Sequence, residues 1–455
     1  MANGIKIGEV DQHSAIVWTR LTRHAERNKD GIPFTALDGR EGKGLDNLDA
    51  REGSVPGVEG EVRIVYWLAD SPENRHATAW QKVDAGKDYT HQIPLRDLTP
   101  GKQYALLVEG RPIGSETATC KVEGAFRTPP SPETAADVRF VVVTCQTYHN
   151  RDDRENGHKI YSTMRALDPD FFVHTGDIEY YDLSRPYATT VAAARFKWNR
   201  IYGMPFQRTF HEGVTSYFMK DDHDTLKNDC YPGQTYGDVT FQHGQELFRE
   251  QVPMGEKTYR TIRWGKDLQI WLVEGRDFRS PNNSPDGPDK TILGKEQKQW
   301  LFDTVSRSDA TFRVLICPTP VVGPGTLRIR GTRRARRQDN HSEMGFATEG
   351  NELREFIGRQ KNMYVFSGDR HWQSASIDAK TGVWDFGCGP SSDSHVMKFV
   401  EGDDNTAEAK LAYVRSGGGF LRVEVDRDNG VPRIHMRHCD VDGGVHHHEV
   451  FLSHD

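Results

Sequence analysis

Twelve residues, Asp170-Phe-Phe-Val-His-Thr-Gly-Asp-Ile-Glu-Tyr-Tyr181, constrain the fold of this chain more than any other stretch. Phe171–Val173 is a compact apolar run, the kind that forms a strand buried on both faces. Gly176 permits a sharp turn at the strand end, and Asp177 follows just beyond the tip. A carboxylate, and a phenol three residues later, thus emerge where open α/β sheets keep their ligands, at the carboxyl ends of strands. Alone, such a stretch is more often a plain turn. Three other strand ends repeat the pattern, and they decide the reading.

With 455 residues the chain exceeds one ordinary domain. Short β-type runs at 5–19, Glu61–Trp67, His91–Ile93, Gln103–Glu109 and Gly124–Arg127 lack a helical period. They predict an all-β sandwich of immunoglobulin or fibronectin type, with Tyr104 entering its core after a Thr-Pro-Gly turn. Residues 24–57, rich in Gly, Asp, Arg and Asn, read as a long surface excursion. Thr128-Pro-Pro-Ser-Pro132 is a stiff extended linker, so the expected domains are an N-terminal sandwich over 1–133 and a second domain over 134–455.

Beyond the linker the pattern changes. Strand-like Val138–Thr144, a helical stretch over 155–167 and strand-like Phe171–His174 make a βαβ unit, which implies a parallel pair. Further strands are expected at Ser216–Met219, Leu268–Val273, Phe312–Cys317 and Met363–Ser367, with helices near 187–203, 294–307 and 349–359. After about 374 the chain returns to β character. The expected fold class is α/β, a sheet core with flanking helices whose later strands extend or face the first sheet.

Composition excludes several classes. A formal charge of −7 argues against a dedicated nucleic-acid binder. No stretch approaches the roughly 18–20 apolar residues of a membrane span. Six cysteines lie scattered with no C-x-x-C pair, so they settle no redox compartment, and nothing sets an oligomeric state. The start lacks the charged-then-apolar pattern of a signal peptide; its abrupt entry into strand-like sequence favours a chain that begins after a removed leader.

The other three strand ends carry chemistry too. Val141-Val-Val-Thr-Cys-Gln146 places a thiol directly after a buried strand, where an inert core cysteine is the bland alternative. Lys220-Asp-Asp-His-Asp224, continuing to Lys227-Asn-Asp229, gathers carboxylates, an amide and an imidazole. Met363-Tyr-Val-Phe-Ser-Gly-Asp-Arg-His-Trp372 ends in Asp369 and His371, which project to one side of the chain. Carboxylates and amide oxygens suit Ca²⁺, Mg²⁺ or Mn²⁺, whereas thiolate, phenolate and imidazole suit a transition metal, most naturally iron. A carboxylate shared by two cations lets them lie close together, as phosphate chemistry requires, and Asp177 is the obvious candidate bridge.

Cys-Gln after a strand, Gly-Asp-x-x-Tyr, Asp-Asp-His-Asp with a following Asn, and Ser-Gly-Asp-Arg-His resemble, in this order, the PhoD-type alkaline phosphatase family of the calcineurin-like metallophosphatase superfamily. The N-terminal Ile-Val-Trp-Thr-Arg20 strand fits as well, so the resemblance spans essentially the whole chain. It implies hydrolysis of phosphate monoesters or diesters, small or polymeric, by a metal-bound hydroxide at an iron–calcium centre, other divalent metals being open. It implies a periplasmic or secreted phosphatase/phosphodiesterase. Carried over by position, Cys145 and Tyr180 bind iron, Asp177 bridges, Asn228 holds a second metal, and Asp369 and His371 complete the cluster. Asp222 and His223 lie near the leaving group or the nucleophile, with His223 the expected proton donor and Asp222 or Asp224 fixing its tautomer.

Two departures from the family pattern stand out. Lys220 replaces an aromatic residue, and Val273-Glu-Gly-Arg-Asp-Phe-Arg279 replaces Leu-Asp-x-Arg-x-x-Arg. Both are expected where substrate is felt. Arg276, Arg279 and Arg370 are the candidate phosphate clamps, with ion pairs to the local acids as the alternative. The run 327–337 puts six arginines on an expected loop, either a solvated charge run or a positive field for an anionic substrate. Two rival functions remain: the same centre acting on another ester or a polyanion, and a non-catalytic protein binding a glycan or surface through its sandwich.

Overall fold

The computed structural model describes residues 1–324, 338–399 and 409–453, and the backbone of the strands Leu327–Arg330 and Arg333–Arg336. The N-terminal part is built on β-strands, with short 3-10 turns at Arg40–Gly42, Leu48–Ala50 and Ala85–Lys87. A three-stranded antiparallel sheet (Ile5–Gly8, Ala15–Arg20, Thr90–Leu95) faces a sheet built on Glu61–Leu68, Gln103–Arg111 and Cys120–Arg127. Val62 and Ile64 are fully buried while Arg63 between them is not, the period of two that puts one face of a strand into a core. Ile7, Val17, Ile93, Leu106 and Tyr104 fill that core from both sheets. The Tyr104 hydroxyl accepts the Thr99 N–H at 2.9 Å, as a buried phenol needs.

The remainder is two sheets face to face between layers of helices. The first runs in the order Thr215–Phe218, Phe171–His174, Val138–Val143, Gly419–Asp428, Val431–Asp440, Val445–Leu452, and its first three strands are parallel. The second runs Arg260–Trp264, Leu268–Leu272, Phe312–Cys317, Met363–Ser367, Trp384–Cys388, Gln373–Asp378, Ala409–Arg415. Phe140, Val142, Phe171 and Val173 interleave with Ile270, Val314, Ile316 and Phe366 between the sheets. Helices such as Lys159–Ala166 and Val191–Tyr202 cover the outer face of the first sheet, and Lys295–Arg307 and Ala347–Gly358 that of the second. Strands covered on both faces read as continuous apolar runs, which is why the central ones are legible. The later strands do both things expected of them, extending one sheet and supplying the other.

Some elements escape the sequence. Gln373–Asp378 is Gln-Ser-Ala-Ser-Ile-Asp, a strand of small polar residues. The helix Phe241–Gln251 carries Gly244 at its middle, because an added Cβ there would meet the Thr225 carbonyl oxygen at 1.8 Å. The expected arginine-rich loop includes two antiparallel strands, Leu327–Arg330 paired with Arg333–Arg336; its arginine side chains lie outside the described residues.

The two parts are closely joined. Lys6 is buried, donates to the Gln251 carbonyl at 2.8 Å and sits 3.4 Å above the Trp18 ring and 3.9 Å from that of Tyr202. The Pro130 carbonyl accepts from Gln12 Nε2 at 3.2 Å and Gly265 N at 3.3 Å. The excursion over 24–57 lies along the second part: Thr189 Oγ1 donates to the Gly39 carbonyl at 2.7 Å and Tyr148 OH to Glu52 at 2.6 Å. No helix among the described residues is long and apolar enough to cross a membrane.

Candidate metal centre

Three strands deliver three donor residues in the same way. Cys145, Asp177 and Asp369 each lie within three residues of a strand end, and each adopts a left-handed backbone conformation, with φ of 47°, 57° and 63°. A residue with a Cβ adopts that conformation at some cost, and such outliers gather at functional sites. The glycines before both aspartates are needed for packing. A Cβ on Gly176 would lie 2.6 Å from the Asp221 amide nitrogen, and one on Gly368 would lie 2.3 Å from Thr175 Oγ1.

These ends converge on Asp177, whose residue is 1% exposed. Its Oδ2 is 3.4 Å from Cys145 Sγ and accepts from Tyr180 OH at 3.1 Å. Tyr180 OH is also 3.2 Å from His371 Nε2, and His371 Nδ1 bonds the His395 carbonyl at 3.0 Å, which turns Nε2 inward. Three triads place their donor atoms within 4.8 Å of one another: Cys145, Asp177 and His371; Asp177, Asp221 and Asp369; Asp177, Asp222 and His223. Asp177 belongs to all of them.

The electrostatics call for cations. Burial first, then Asp177, holds the Cys145 thiol and the Tyr180 phenol well above their ordinary pKa values. Burial does the same to Asp177 against the pull of His223, with Asp222 and Asp221 adding to the rise. Asp221 Oδ2 is buried and has no hydrogen-bond partner among the described residues. Positive charge at this point would satisfy that oxygen and displace the protons. One triad offers sulfur, oxygen and nitrogen to a transition metal, and another offers only oxygen to a hard cation, so the residues fit metals of both kinds.

His223 stands at the open side. Its side chain is 15% exposed and that of Asp369 11%, whereas Arg276 beneath them is 1% exposed. Its ring packs on Tyr180 with centroids 4.2 Å apart. Burial alone would lower its pKa, but Asp222, Asp177 and Asp182 raise it to about 10. The acid that holds Nδ1 is Asp182, at 2.6 Å, rather than Asp222 or Asp224. Those two are taken up by main-chain N–H groups: Asp222 by His223 and Asp229, Asp224 by Ile178 and Asp221. Asn228 follows on the same loop, its N–H on Asp182 at 2.8 Å and its amide donating to Asp229 at 2.7 Å.

The expected phosphate clamps are differently engaged. Arg276 Nε donates to Asp221 at 2.5 Å and Nη2 lies 3.7 Å from Asp222. Arg370 pairs with Asp369 at 2.6 Å, Asp339 at 3.3 Å and Glu343 at 3.4 Å. Arg279 donates to Asn282 at 2.7 Å and to the Asp339 carbonyl. All three are buried, at 1–3% exposure, with Arg276 and Arg370 in ion pairs, while Arg276 Nη1, Arg279 Nη1 and Arg370 Nε have no hydrogen-bond partner among the described residues. The two departures from the family pattern meet each other. Lys220 Nζ is 2.6 Å from Glu274, and both side chains are at most 2% exposed.

Asp221, Asp182 and His395 are the residues that sequence reasoning missed. Asp221 was hidden among neighbouring acids. Asp182 carried only its place two residues after Tyr180. His395, whose ring lies 4.3 Å from that of His371, comes from a loop with no apolar pattern at all.

Strands of two packed sheets ending in a shared carboxylate, with thiol, phenol and imidazole around it, define a metal-dependent phosphoesterase of the metallophosphatase kind. The structure of PhoD aligns over 99% of this chain and 90% of its own, with a TM-score of 0.74 at 16% identity. Purple acid phosphatase PPD1 from yellow lupin (Lupinus luteus) seeds aligns over 98% of this chain and 73% of its own, with a TM-score of 0.63 at 12% identity. No curated protein matches the sequence. The model of the PhoD-like phosphatase family matches residues 140–416, and the chain belongs to that family. Its chemistry is metal-dependent hydrolysis of phosphate esters.

Proposed function

We propose that the chain hydrolyses phosphate monoesters and diesters at an iron–calcium type centre, acting in the periplasm or outside the cell. The observation that carries the reading is the single buried Asp177, shared by a sulfur–oxygen–nitrogen triad and an all-oxygen triad. In this reading Cys145, Tyr180 and His371 hold iron, Asp177 bridges, and Asp369 and Asn228 serve the second cation. Residues 1–133 form one domain and 134–455 the catalytic one. When bound, such a metal pair neutralises the phosphate and activates water for in-line attack.

The chain's own residues do the rest. His223 donates the Nε2 proton to the departing ester oxygen, because Asp182 holds Nδ1–H at 2.6 Å and leaves Nε2 as the nitrogen to give its proton. Tyr180 packs against that ring and limits its rotation. The Arg276 and Arg370 pairs fix the acids around the cluster, which keeps the charge distribution rigid for the reaction.

Elemental analysis of the purified protein, paired with turnover of nitrophenyl phosphate monoester and diester, tests the reading. Wild type should carry iron and calcium and turn over at least one ester, and Asp177→Asn should lose metal and turnover together. A metal-replete, active Asp177→Asn protein, or a wild type that takes up no metal on reconstitution, would overturn it.

A further inference from the structure

The outermost strand of a sheet presents backbone N–H and C=O groups with no partner, and native edges are blunted by shortness, burial, proline or charge. Among the described residues, the sheets of three or more strands obey this rule at every edge but one. Ile5–Gly8 and Thr215–Phe218 are four-residue strands buried along their length. Thr90–Leu95 carries Pro94, and His76–Ala77 and Gln81–Lys82 have two residues each. Cys120–Arg127, Arg260–Trp264 and Ala409–Arg415 each carry two lysines or arginines. The exception is Val445–Leu452, the last strand of the six-stranded sheet: it has eight residues, none of them lysine, arginine or proline.

The open side of this strand is well defined. Ser453 N–H donates to the Pro432 carbonyl at 2.9 Å, so by alternation the N–H and C=O groups of His448, Val450 and Leu452 point away from the sheet. Phe451 enters the core between the sheets with Ile434 and Met436, which puts Val450 and Leu452 on the opposite, outer face. Val431, Val445, Val450 and Leu452 are all exposed, four of the twelve large apolar side chains so placed among the described residues. The one edge without a blunting charge therefore also offers apolar surface.

A bulge at His446 shifts the pairing between His438 and Cys439, so the regular run of the strand is 447–453, centred on Val450. Two such runs placed antiparallel overlap in full only with Val450 opposite its own copy. Leu452 then faces His448, and Glu449 faces Phe451, so no acid meets an acid. A register centred on Glu449 would instead set two carboxylates against each other. We propose that this edge pairs with the same edge of a second copy of the chain, antiparallel about Val450. The pairing joins the six-stranded sheets of the two copies into one across a two-fold axis. The contact is one strand wide, which makes the dimer concentration-dependent rather than permanent.

Light scattering of the full chain over a concentration series reads the assembly, and a cysteine at the axis reads the register. Wild type should move from the monomer mass toward twice that mass as concentration rises. Val450→Lys sets two ammonium groups against each other and should weaken association by at least about tenfold, with the urea midpoint unchanged. Val450→Cys should link to its own copy on mild oxidation, because opposed residues of a hydrogen-bonded antiparallel pair have Cα atoms about 5.5 Å apart, within disulfide reach. Leu452→Cys, which faces His448, should link far more slowly. A wild type that stays monomeric at every concentration overturns the proposal, whether or not it accepts an unrelated strand peptide. A dimer that Val450→Lys leaves intact, or one that links through Leu452→Cys in preference to Val450→Cys, overturns it too, since the contact would then lie elsewhere or in another register.

Discussion

Lys220→Met tests the buried bridges from Lys220 Nζ to Glu274, at 2.6 Å, and Asp277, at 2.7 Å, as a structural device. The Lys220 ammonium is buried, and its pKa lies above the ordinary lysine value: burial alone would lower it, but Asp277 and Glu274 outweigh burial. Methionine matches the length of the stem and removes the charge, leaving two buried carboxylates facing each other. Breaking a buried pair from one side costs about 3–5 kcal/mol. Part of that is offset here, because Glu274 keeps the main-chain N–H groups of Arg276 and Asp277, and Asp277 keeps Gln245 at 2.8 Å and Thr258 at 3.2 Å. The expected loss at pH 8 is therefore near the lower end, about 3 kcal/mol. The sign of its pH dependence is diagnostic. Burial, then Asp277, already holds the Glu274 carboxyl above its ordinary value with Lys220 present, and removing the ammonium raises it further. A carboxyl with a raised folded pKa binds more protons folded than unfolded, so stability falls as pH rises through that folded value. The deficit should be largest at pH 8 and shrink toward pH 5, where the acids can be neutral. Urea unfolding of metal-stripped wild type and variant at both pH values measures it. A deficit below about 1 kcal/mol, or one equal at pH 5 and pH 8, would refute the account of Lys220 as the counter-charge of two buried acids.

Other perturbations probe the frame around the site. Gly176→Ala forces a Cβ to within 2.6 Å of the Asp221 nitrogen at a backbone φ of 117°, and should cost about 2 kcal/mol or more and lower metal content with it, read by urea midpoint and elemental analysis; normal metal content would show that the two loops can part without harm. His158, His174 and His438 are fully buried, and burial holds each near a pKa of about 3. Folded values below the unfolded value of about 6.5 mean that stability is complete above that pH and is lost as pH falls, by about 2 kcal/mol for each group at pH 5. His438→Gln keeps a donor for the Gly387 carbonyl, 3.1 Å from Nε2, and should narrow the gap between pH 8 and pH 5 by about that amount; an unchanged gap would mean that His438 takes its proton without unfolding.

The legible parts of this protein are those coded locally. A buried strand, a glycine and an aspartate announce themselves within seven residues, which is why Asp177, Tyr180, Asp369 and His371 stood out and why Cys145 followed from its strand. The strand Gln373–Asp378 stayed hidden, because its serines are buried by the sheet's neighbours and not by any pattern of its own. The illegible parts depend on which groups meet across the fold. Nothing in Lys220-Asp-Asp-His-Asp224 says which acid keeps an oxygen free, since that is decided by Arg276, 55 residues away from Asp221. For the same reason the two departures from the family pattern looked like separate adjustments to substrate. Lysine at 220 alone would bury an ammonium without a counter-ion, and the acids at 274 and 277 without it would be buried without theirs. In this chain the lysine and the two acids answer one another across two loops, and the Arg276–Asp221 pair ties the same two loops in the opposite sense.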